Sequence, residues 1–131
     1  MKKRGLLNAP LSHVIAQMGH GDLLVIADAG LPIPPEVPRI DLAVRPGLPS
    51  FLDVLEAVLE ELHIEKAILA SEMEARSPHL YQATRHRLGS IPLEQVPHET
   101  FKAMTARARA VVRTGECTPY ANVILVSGVI F

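Results

Sequence analysis

The chain has 131 residues, of which 48% are hydrophobic but only 4% aromatic, and it carries a net charge of −1 with a single cysteine. This length predicts one domain, residues 1–131, with a mostly aliphatic core. The near-neutral charge argues against nucleic acid and membrane surfaces as partners, no apolar run reaches the roughly 20 residues of a membrane span, and the lone Cys117 is typical of a cytoplasmic protein.

The first third of the chain predicts one helix and two strands. Apolar residues at helical spacing indicate a helix that is capped by Asn8 and stops at Gly19. The run LLVIA at 23–27 predicts a short buried strand, and IDLAV at 40–44 predicts another. A proline-rich loop connects these two strands, so no helix lies between them.

The middle of the chain predicts helix, strand and helix in turn. Ser50, followed three residues later by an acidic residue, resembles a capping box and indicates a helix through Leu62. KAILA at 66–70 predicts a strand. Ser77 and the proline after it indicate the start of a further helix, which we expect to end at Gly89.

The last third predicts three more strands and one helix. The strands are expected at 93–96, 110–113 and 122–126, and the helix at about 98–108. Because strands alternate with helices and most strands are continuous aliphatic runs, we predict an α/β fold. Its form is a three-layer α/β/α sandwich around a mostly parallel sheet, and the direct strand-to-strand steps allow that sheet to be mixed.

The chain closes on an unusually apolar segment. Its last nine residues contain only Ser127 and Gly128 that are not large and apolar, so the segment is an aggregation hazard unless something covers it. Tyr120 and Asn122 stand just before it, two residues apart. We expect both side chains on one face of the strand that they begin.

Asp28 and His20 are candidates for chemistry. Asp28 follows the first predicted strand, where ligands gather in α/β sheets, although a turn-forming aspartate would look the same. His20 follows the first helix, where the helix dipole also favours a surface histidine. Whether the two residues meet depends on where the short strand between them points.

Other polar residues give weaker signals. His98 and Lys102 are four residues apart and share a helix face, which could equally be a solvated face. His20, Asp28 and His98 could form a metal site, but ligands from such scattered loops make a weak pattern. The remaining histidines are expected on the surface: His13, His63, His79 and His86.

Four stretches resemble the D-ribose pyranase family: GHGDLLVIADAGLPIP, RIDLAVRPGLPSFLDVLEAVLEEL, KAILASE and RTGECTPYANVILVSGVIF. The resemblance runs nearly end to end and is weakest over 74–92. The related L-fucose mutarotases share the G-H-G-D opening and a Tyr-x-Asn near the end, whereas DAGLPIP looks more like the ribose branch.

This resemblance implies an isomerase that interconverts β-D-ribopyranose and β-D-ribofuranose without a cofactor or a metal. It implies His20 as the general acid, a role that suits an imidazole at neutral pH. The residues that it implies as sugar contacts are Asp28, His98, Tyr120 and Asn122, with Lys102 close by. It also implies a ring-based homo-oligomer, often a decamer, whose sites lie between subunits and whose neighbouring chain covers the apolar segment.

Two other functions stay open at this point. One is a ribose-binding accessory protein of sugar uptake that binds without turnover, and the other is an L-fucose mutarotase on the same scaffold. The isomerase and the accessory protein would make the same contacts with the sugar. Turnover requires His20, whereas binding alone could dispense with it.

Overall fold

The computed structural model describes all residues, 1–131, and contains a sheet of six strands with helices on both faces. No helix combines the length and the apolar character needed to cross a membrane. In chain order the elements are α1 (Ala9–Gln17), β1 (Leu23–Ala27), β2 (Arg39–Asp41), α2 (Phe51–Leu59), β3 (Ile64–Ala70), α3 (Glu72–Arg76), α4 (Pro78–Leu88), β4 (Leu93–Val96), α5 (His98–Met104), β5 (Ala110–Arg113) and β6 (Val123–Ser127), with a 3₁₀ turn at Thr105–Arg107.

The sheet is mixed and mostly parallel, as the sequence predicted. Its strand order is β2-β5-β1-β6-β3-β4. The pairs β2–β5, β5–β1 and β3–β4 are parallel, while β6 runs antiparallel to both of its neighbours, β1 and β3. Five strands therefore point one way and β6 points the other. This arrangement puts the start of β6 at the same sheet edge as the carboxyl ends of the other five.

Each face of the sheet has its own apolar core, because successive side chains of a strand alternate between the two faces. Leu24 and Ile26 of β1 pack in the larger core, beneath α1, α2 and α4. Val25 and Ala27 pack in the smaller core, which Phe101 of α5 covers. The continuous aliphatic strands follow from burial on both faces, and the three-layer α/β/α prediction is confirmed.

The predicted caps at Asn8, Ser50 and Gly89 are confirmed, whereas α1 ends at Gln17, two residues before the predicted stop at Gly19. Asn8 Oδ1 accepts a hydrogen bond from the Leu11 N–H at 3.0 Å, and Ser50 Oγ accepts one from the Asp53 N–H at 3.1 Å. Both bonds satisfy N–H groups that have no partner within the first helical turn. At the other end of a helix, Gly89 adopts a positive φ of 58° directly after α4, where it was predicted as the stop.

Two elements are shorter than predicted. The strand expected at 40–44 ends at Asp41, because the Asp41 carboxylate accepts the Ala43 N–H at 3.0 Å and turns the chain out of the sheet. The helix expected through Leu62 ends at Leu59. There the Glu61 N–H bonds to the Val58 carbonyl oxygen at 3.0 Å in a tightened turn, and the Leu62 side chain that follows lies in the core.

Two further elements, α3 and α5, differ from the prediction. The sequence missed α3, a helix of five residues whose only buried side chain is that of Met73. The helix predicted at 98–108 is helical only to Met104. It then tightens into the 3₁₀ turn, where the Thr105 hydroxyl donates to the Lys102 carbonyl oxygen at 2.6 Å.

Candidate active site

Several polar residues meet at the edge of the sheet where β1, β3 and β4 end and β6 begins. Asp28 directly follows β1, and His98 follows β4 with one residue between them. Asn122 directly precedes β6, which starts at this edge because it runs antiparallel. Open α/β sheets bind ligands beyond the carboxyl ends of their strands, so the fold itself assembles this cluster.

Asn122 and Asp28 form a two-point contact at the centre of the cluster. The Asn122 side chain is fully buried, and its Oδ1 accepts the Asp28 backbone N–H at 2.8 Å. Its Nδ2 donates to Asp28 Oδ2 at 3.0 Å. The other carboxylate oxygen of Asp28 accepts the Gly30 N–H at 3.0 Å. The carboxylate is therefore held in one orientation, with lone pairs left to accept hydrogen bonds from a ligand.

Tyr120 does not lie on a strand, so the prediction that it and Asn122 share a strand face is wrong. β6 begins only at Val123, and Tyr120 has a φ of 61°, the left-handed region that costs a residue with a side chain about 1–2 kcal/mol. The Ser77 hydroxyl donates to the carbonyl oxygen of Pro119 at 2.7 Å and secures the turn. Such strain in a non-glycine residue is common at binding sites.

His98 packs edge-on against the ring of Tyr120, with the ring centroids 5.0 Å apart and the planes at 86°. Its backbone N–H donates to both carboxylate oxygens of Glu72, at 3.0 and 3.1 Å. Glu72 thus caps α5 from the neighbouring α3. Desolvation acts to raise the pKa of Glu72, but the N–H groups of His98 and of Glu72 itself outweigh it, and the pKa lies below its usual value.

Asp28, His98 and Tyr120 line a cavity of about 360 Å³. Arg76 adds a further polar residue to its walls, and Leu31 adds an apolar one. A volume of this size suits a small ligand. The mixture of donors and acceptors among these residues suits a molecule that is rich in hydroxyl groups.

Arg76 is the residue that sequence reasoning missed. It ends α3 and brings an exposed guanidinium to the cavity. The sequence signal was weak, because α3 has no apolar stripe that would have predicted a helix here. The sequence did indicate that Arg76 lies near the carboxyl end of the strand at 66–70, because only a few residues separate it from that strand.

His20 lies at the opposite edge of the sheet from Asp28. It precedes β1, whose five residues span about 17 Å, whereas Asp28 follows it. The His20 side chain is 63% exposed, and its Nε2 lies 2.8 Å from Oε2 of Glu65 on β3. One chain therefore does not bring His20 to the cavity. The metal site considered for His20, Asp28 and His98 is not formed within one chain either.

A second carboxylate closes the turn that carries His20. Asp22 Oδ2 accepts the Gly19 N–H at 2.8 Å and lies 3.0 Å from the Arg109 Nε. The Gly19 N–H and then the Arg109 side chain hold the pKa of Asp22 below its usual value. The turn is thus fixed at its base while the His20 ring projects into solvent.

Lys102 lies on α5 one turn after His98, but its Nζ pairs with Glu99 Oε1 at 2.7 Å and it does not line the cavity. The four histidines that were predicted to be superficial are exposed, as expected: His13, His63, His79 and His86. Of the six predicted site residues, Asp28, His98, Tyr120 and Asn122 lie together in one chain.

Comparison with known proteins accounts for this fold. The chain belongs to the RbsD / FucU transport protein family, whose model matches residues 1–130. It is 58% identical to the D-ribose pyranase of Laribacter hongkongensis over the full length of both proteins. It is 56% identical to the D-ribose pyranase of Geobacillus kaustophilus, covering all of this chain and 96% of that one.

Solved structures agree with these relatives. The structure of Bacillus subtilis RbsD complexed with D-ribose has a TM-score of 0.97 and 46% identity, with both chains fully covered. A fucose mutarotase from Streptococcus pneumoniae in complex with L-fucose has a TM-score of 0.73 at 23% identity, over 95% of each chain. At that identity the second likeness shows the fold alone.

Proposed function

We propose that this chain is a D-ribose pyranase, an intramolecular isomerase that interconverts β-D-ribopyranose and β-D-ribofuranose. The observation that carries the proposal is the full-length identity of 58% and 56% to proteins of that name. The polar cavity at the sheet edge supports it, because its size and its mixed donors and acceptors suit a pentose. The active unit is one domain, residues 1–131, and D-ribose is its small-molecule partner.

The chemistry requires proton transfers and no redox step. Protonation of the ring oxygen lets its bond to the anomeric carbon break while the anomeric hydroxyl loses a proton, which gives the open-chain aldehyde. The hydroxyl on the fourth carbon then attacks the aldehyde carbon and gives up its proton as the carbonyl oxygen gains one. A single acid–base group with a pKa near neutrality can serve both stages, so no cofactor is needed.

His20 is the acid in this proposal, because an imidazole gives and takes protons near neutral pH. Asp28 accepts hydrogen bonds from sugar hydroxyls, and its orientation by Asn122 supports that role. His98 and Tyr120 line the same cavity, and an imidazole and a phenol can both form hydrogen bonds with sugar hydroxyls. Lys102 can contact the sugar as well once its ammonium group breaks its ion pair with Glu99.

The site is shared between subunits of a ring-shaped homo-oligomer, a decamer, in which one subunit supplies His20 and its neighbour supplies the cavity. The support is geometric: His20 and Asp28 lie at opposite edges of one sheet, and the His20 ring is exposed. We place this assembly in the cytoplasm. The single Cys117 supports this location, because a reducing compartment does not depend on disulfides.

Proton NMR exchange spectroscopy on equilibrated D-ribose tests the activity directly. Cross-peaks between pyranose and furanose anomeric protons should grow in proportion to added protein, and exhaustive chelation should leave them unchanged. Parallel samples with L-fucose test the mutarotase alternative. Saturable ribose binding without faster exchange would favour the accessory-protein alternative.

A further inference from the structure

The end of β6 is joined to the turn that carries His20. The backbone N–H of Gly21 donates to the Ser127 carbonyl oxygen at 2.8 Å, and the Ser127 N–H donates to the Asp22 carbonyl oxygen at 2.8 Å. These two bonds continue the pairing of β6 with β1 beyond the strands. The chain after Ser127 therefore leaves the sheet immediately beside His20.

Gly128 packs against the start of β3. Its N–H donates to the His63 carbonyl oxygen at 2.9 Å. A Cβ at this position would lie 2.8 Å from His63 Cδ2 and 3.2 Å from the Cβ of Glu65, so the glycine permits a close approach. Glu65 is the residue whose carboxylate contacts His20 at 2.8 Å. His20 and Gly128 thus flank one side chain.

The next three residues are apolar and uncovered. Val129 is 37% exposed, Ile130 88% and Phe131 100%. We name residues 128–131 the apolar arm. An exposed run of this kind usually marks a contact with another surface. Within one chain the arm leaves the sheet at the edge opposite the cavity, so its own cavity is not that surface.

We propose that the apolar arm enters the cavity of the neighbouring subunit together with His20 and forms an apolar wall over the bound sugar. The inference rests on the proposed function, in which His20 reaches the neighbour's cavity. Because the base of the arm is fixed beside His20, both must approach the same neighbour. Three extended residues reach about 10 Å, which is enough to extend from His20 over a bound sugar.

The cavity has a matching need. In one chain its walls carry Asp28, Arg76 and His98, whereas its apolar contribution comes mainly from Leu31, two prolines and the Tyr120 ring. A sugar ring presents C–H surfaces as well as hydroxyl groups, and apolar side chains pack against those surfaces. The partner whose cavity the arm enters is therefore a second copy of this chain. Its effect is to exclude water from one side of the sugar.

Cross-linking tests the placement in the intact assembly. In a Cys117→Ser background, Phe131→Cys is combined with Arg76→Cys on the cavity wall. Mild oxidation with oxidised glutathione should give covalent dimers and higher multimers on non-reducing gels, because each chain of a ring meets a neighbour on both sides. The matched control pairs Phe131→Cys with His86→Cys, an exposed position on α4 outside the cavity, and should give few. Equal yields, or no dimers from an intact oligomer, overturn the proposal.

Kinetics test the role. Phe131→Ala should raise the KM for D-ribose by roughly tenfold at nearly unchanged kcat, because an apolar contact with a small substrate is worth about one order of magnitude. Phe131→Leu should restore most of the affinity. Leu7→Ala, at another exposed apolar residue, should have no effect. A Phe131→Ala assembly of normal size with a wild-type KM contradicts the proposal.

The two proposals fail separately. If the wild-type protein does not accelerate ring exchange, the proposed function is wrong, while the cross-linking yield still shows whether the arm reaches the neighbouring cavity. If Phe131→Ala disrupts the oligomer, the cross-linking yield of the two cysteine pairs decides between a cavity wall and a contact elsewhere. Preferential linking to Arg76→Cys supports the wall, and its absence overturns it.

Discussion

The side-chain amide of Asn122 holds Asp28 at two points, by accepting its backbone N–H at 2.8 Å and donating to its carboxylate at 3.0 Å. Because Asn122 is fully buried, neither bond can be replaced by one to bulk water. The main role of the amide is therefore to orient the Asp28 carboxylate, and not to contact a sugar itself. It links the first buried strand to the last one at the site itself.

Asn122→Asp should disrupt this contact with almost no change in shape. The donor to Asp28 Oδ2 becomes a carboxylate oxygen, so two negative charges meet in a buried setting. We expect a loss of roughly 2–4 kcal/mol in the free energy of unfolding, measured by urea denaturation, and loss of ribose binding. The Asp28→Asn, Asn122→Asp double variant restores one donor and one acceptor. It should recover most of the stability without activity, and a double variant no more stable than Asn122→Asp would refute this account.

Tyr120→Phe separates the phenol from the ring. The ring keeps its edge-on contact with His98, so the free energy of unfolding should change by less than about 0.5 kcal/mol. Loss of one hydrogen bond to the sugar should weaken ribose binding by roughly tenfold, measured by calorimetric titration. Tyr120→Gly is the comparison variant, because it removes the aromatic ring and the backbone strain as well as the phenol hydroxyl. Unchanged affinity in Tyr120→Phe would exclude the phenol as a sugar contact.

Glu72 gives the site a dependence on pH. Its pKa is lowered in the folded protein, so its contribution to stability is fully present above its ordinary value near 4.5 and is lost as the pH falls through the lower folded value. Glu72→Ala removes the acceptor for the His98 N–H and should raise KM. At neutral pH the variant should be less stable than wild type, and denaturation below pH 4.5 should show this difference shrinking. A constant difference across that range would mean that the charge of Glu72 does not matter.

The sequence predicted those site residues that lie next to a recognisable strand, and it did not predict the position of Arg76 or Tyr120. Asp28 and Asn122 border aliphatic runs that were predicted as strands, but Asn122 shares an edge with Asp28 only because β6 runs antiparallel, and the sequence did not determine that direction. Arg76 follows no such run, because α3 is too short to show a helical stripe. Tyr120 was misplaced because its left-handed φ is unusual for a bulky side chain.

The relation between His20 and Asp28 could not be read from spacing. Eight positions along the chain are compatible with a turn that brings the two together and with a strand that separates them. In the structure these positions contain the strand β1, so His20 and Asp28 lie at opposite ends of it. The site between subunits that we propose was suggested beforehand only by the resemblance to a family with such sites.

Glu65 is expected to orient His20. Its carboxylate contacts His20 Nε2 at 2.8 Å, which leaves Nδ1 as the ring nitrogen free to exchange a proton with the sugar. Glu65→Ala should lower kcat by roughly tenfold while KM stays nearly constant, because the variant loses orientation of the acid and not a sugar contact. Glu94→Ala is the matched control, since Glu94 forms a similar exposed pair with Lys66 on the neighbouring strand. Equal kcat values in the two variants would rule out this role.

Subunit mixing tests whether His20 and Asp28 of different chains form one site. His20→Ala and Asp28→Asn proteins should each be nearly inactive, although both should bind into normal assemblies, because neither change removes a core side chain. When the two are co-expressed, some sites take wild-type His20 from one chain and wild-type Asp28 from the other. With random 1:1 mixing in a symmetric ring, about one quarter of the sites (½ × ½) are fully wild type.

The mixture should therefore recover up to about one quarter of the wild-type exchange rate, measured by NMR on D-ribose. Differently tagged chains purified over two columns establish that the rings are mixed, and the separately expressed variants, combined without refolding, provide the control. If each site were built within a single chain, every site in the mixture would keep one defect. Because β1, which is about 17 Å long, separates His20 from Asp28, that outcome would require His20 to act through a rearranged sheet edge. Mixed rings without recovered activity would thus remove both the shared site and the apolar arm's route to the neighbouring cavity.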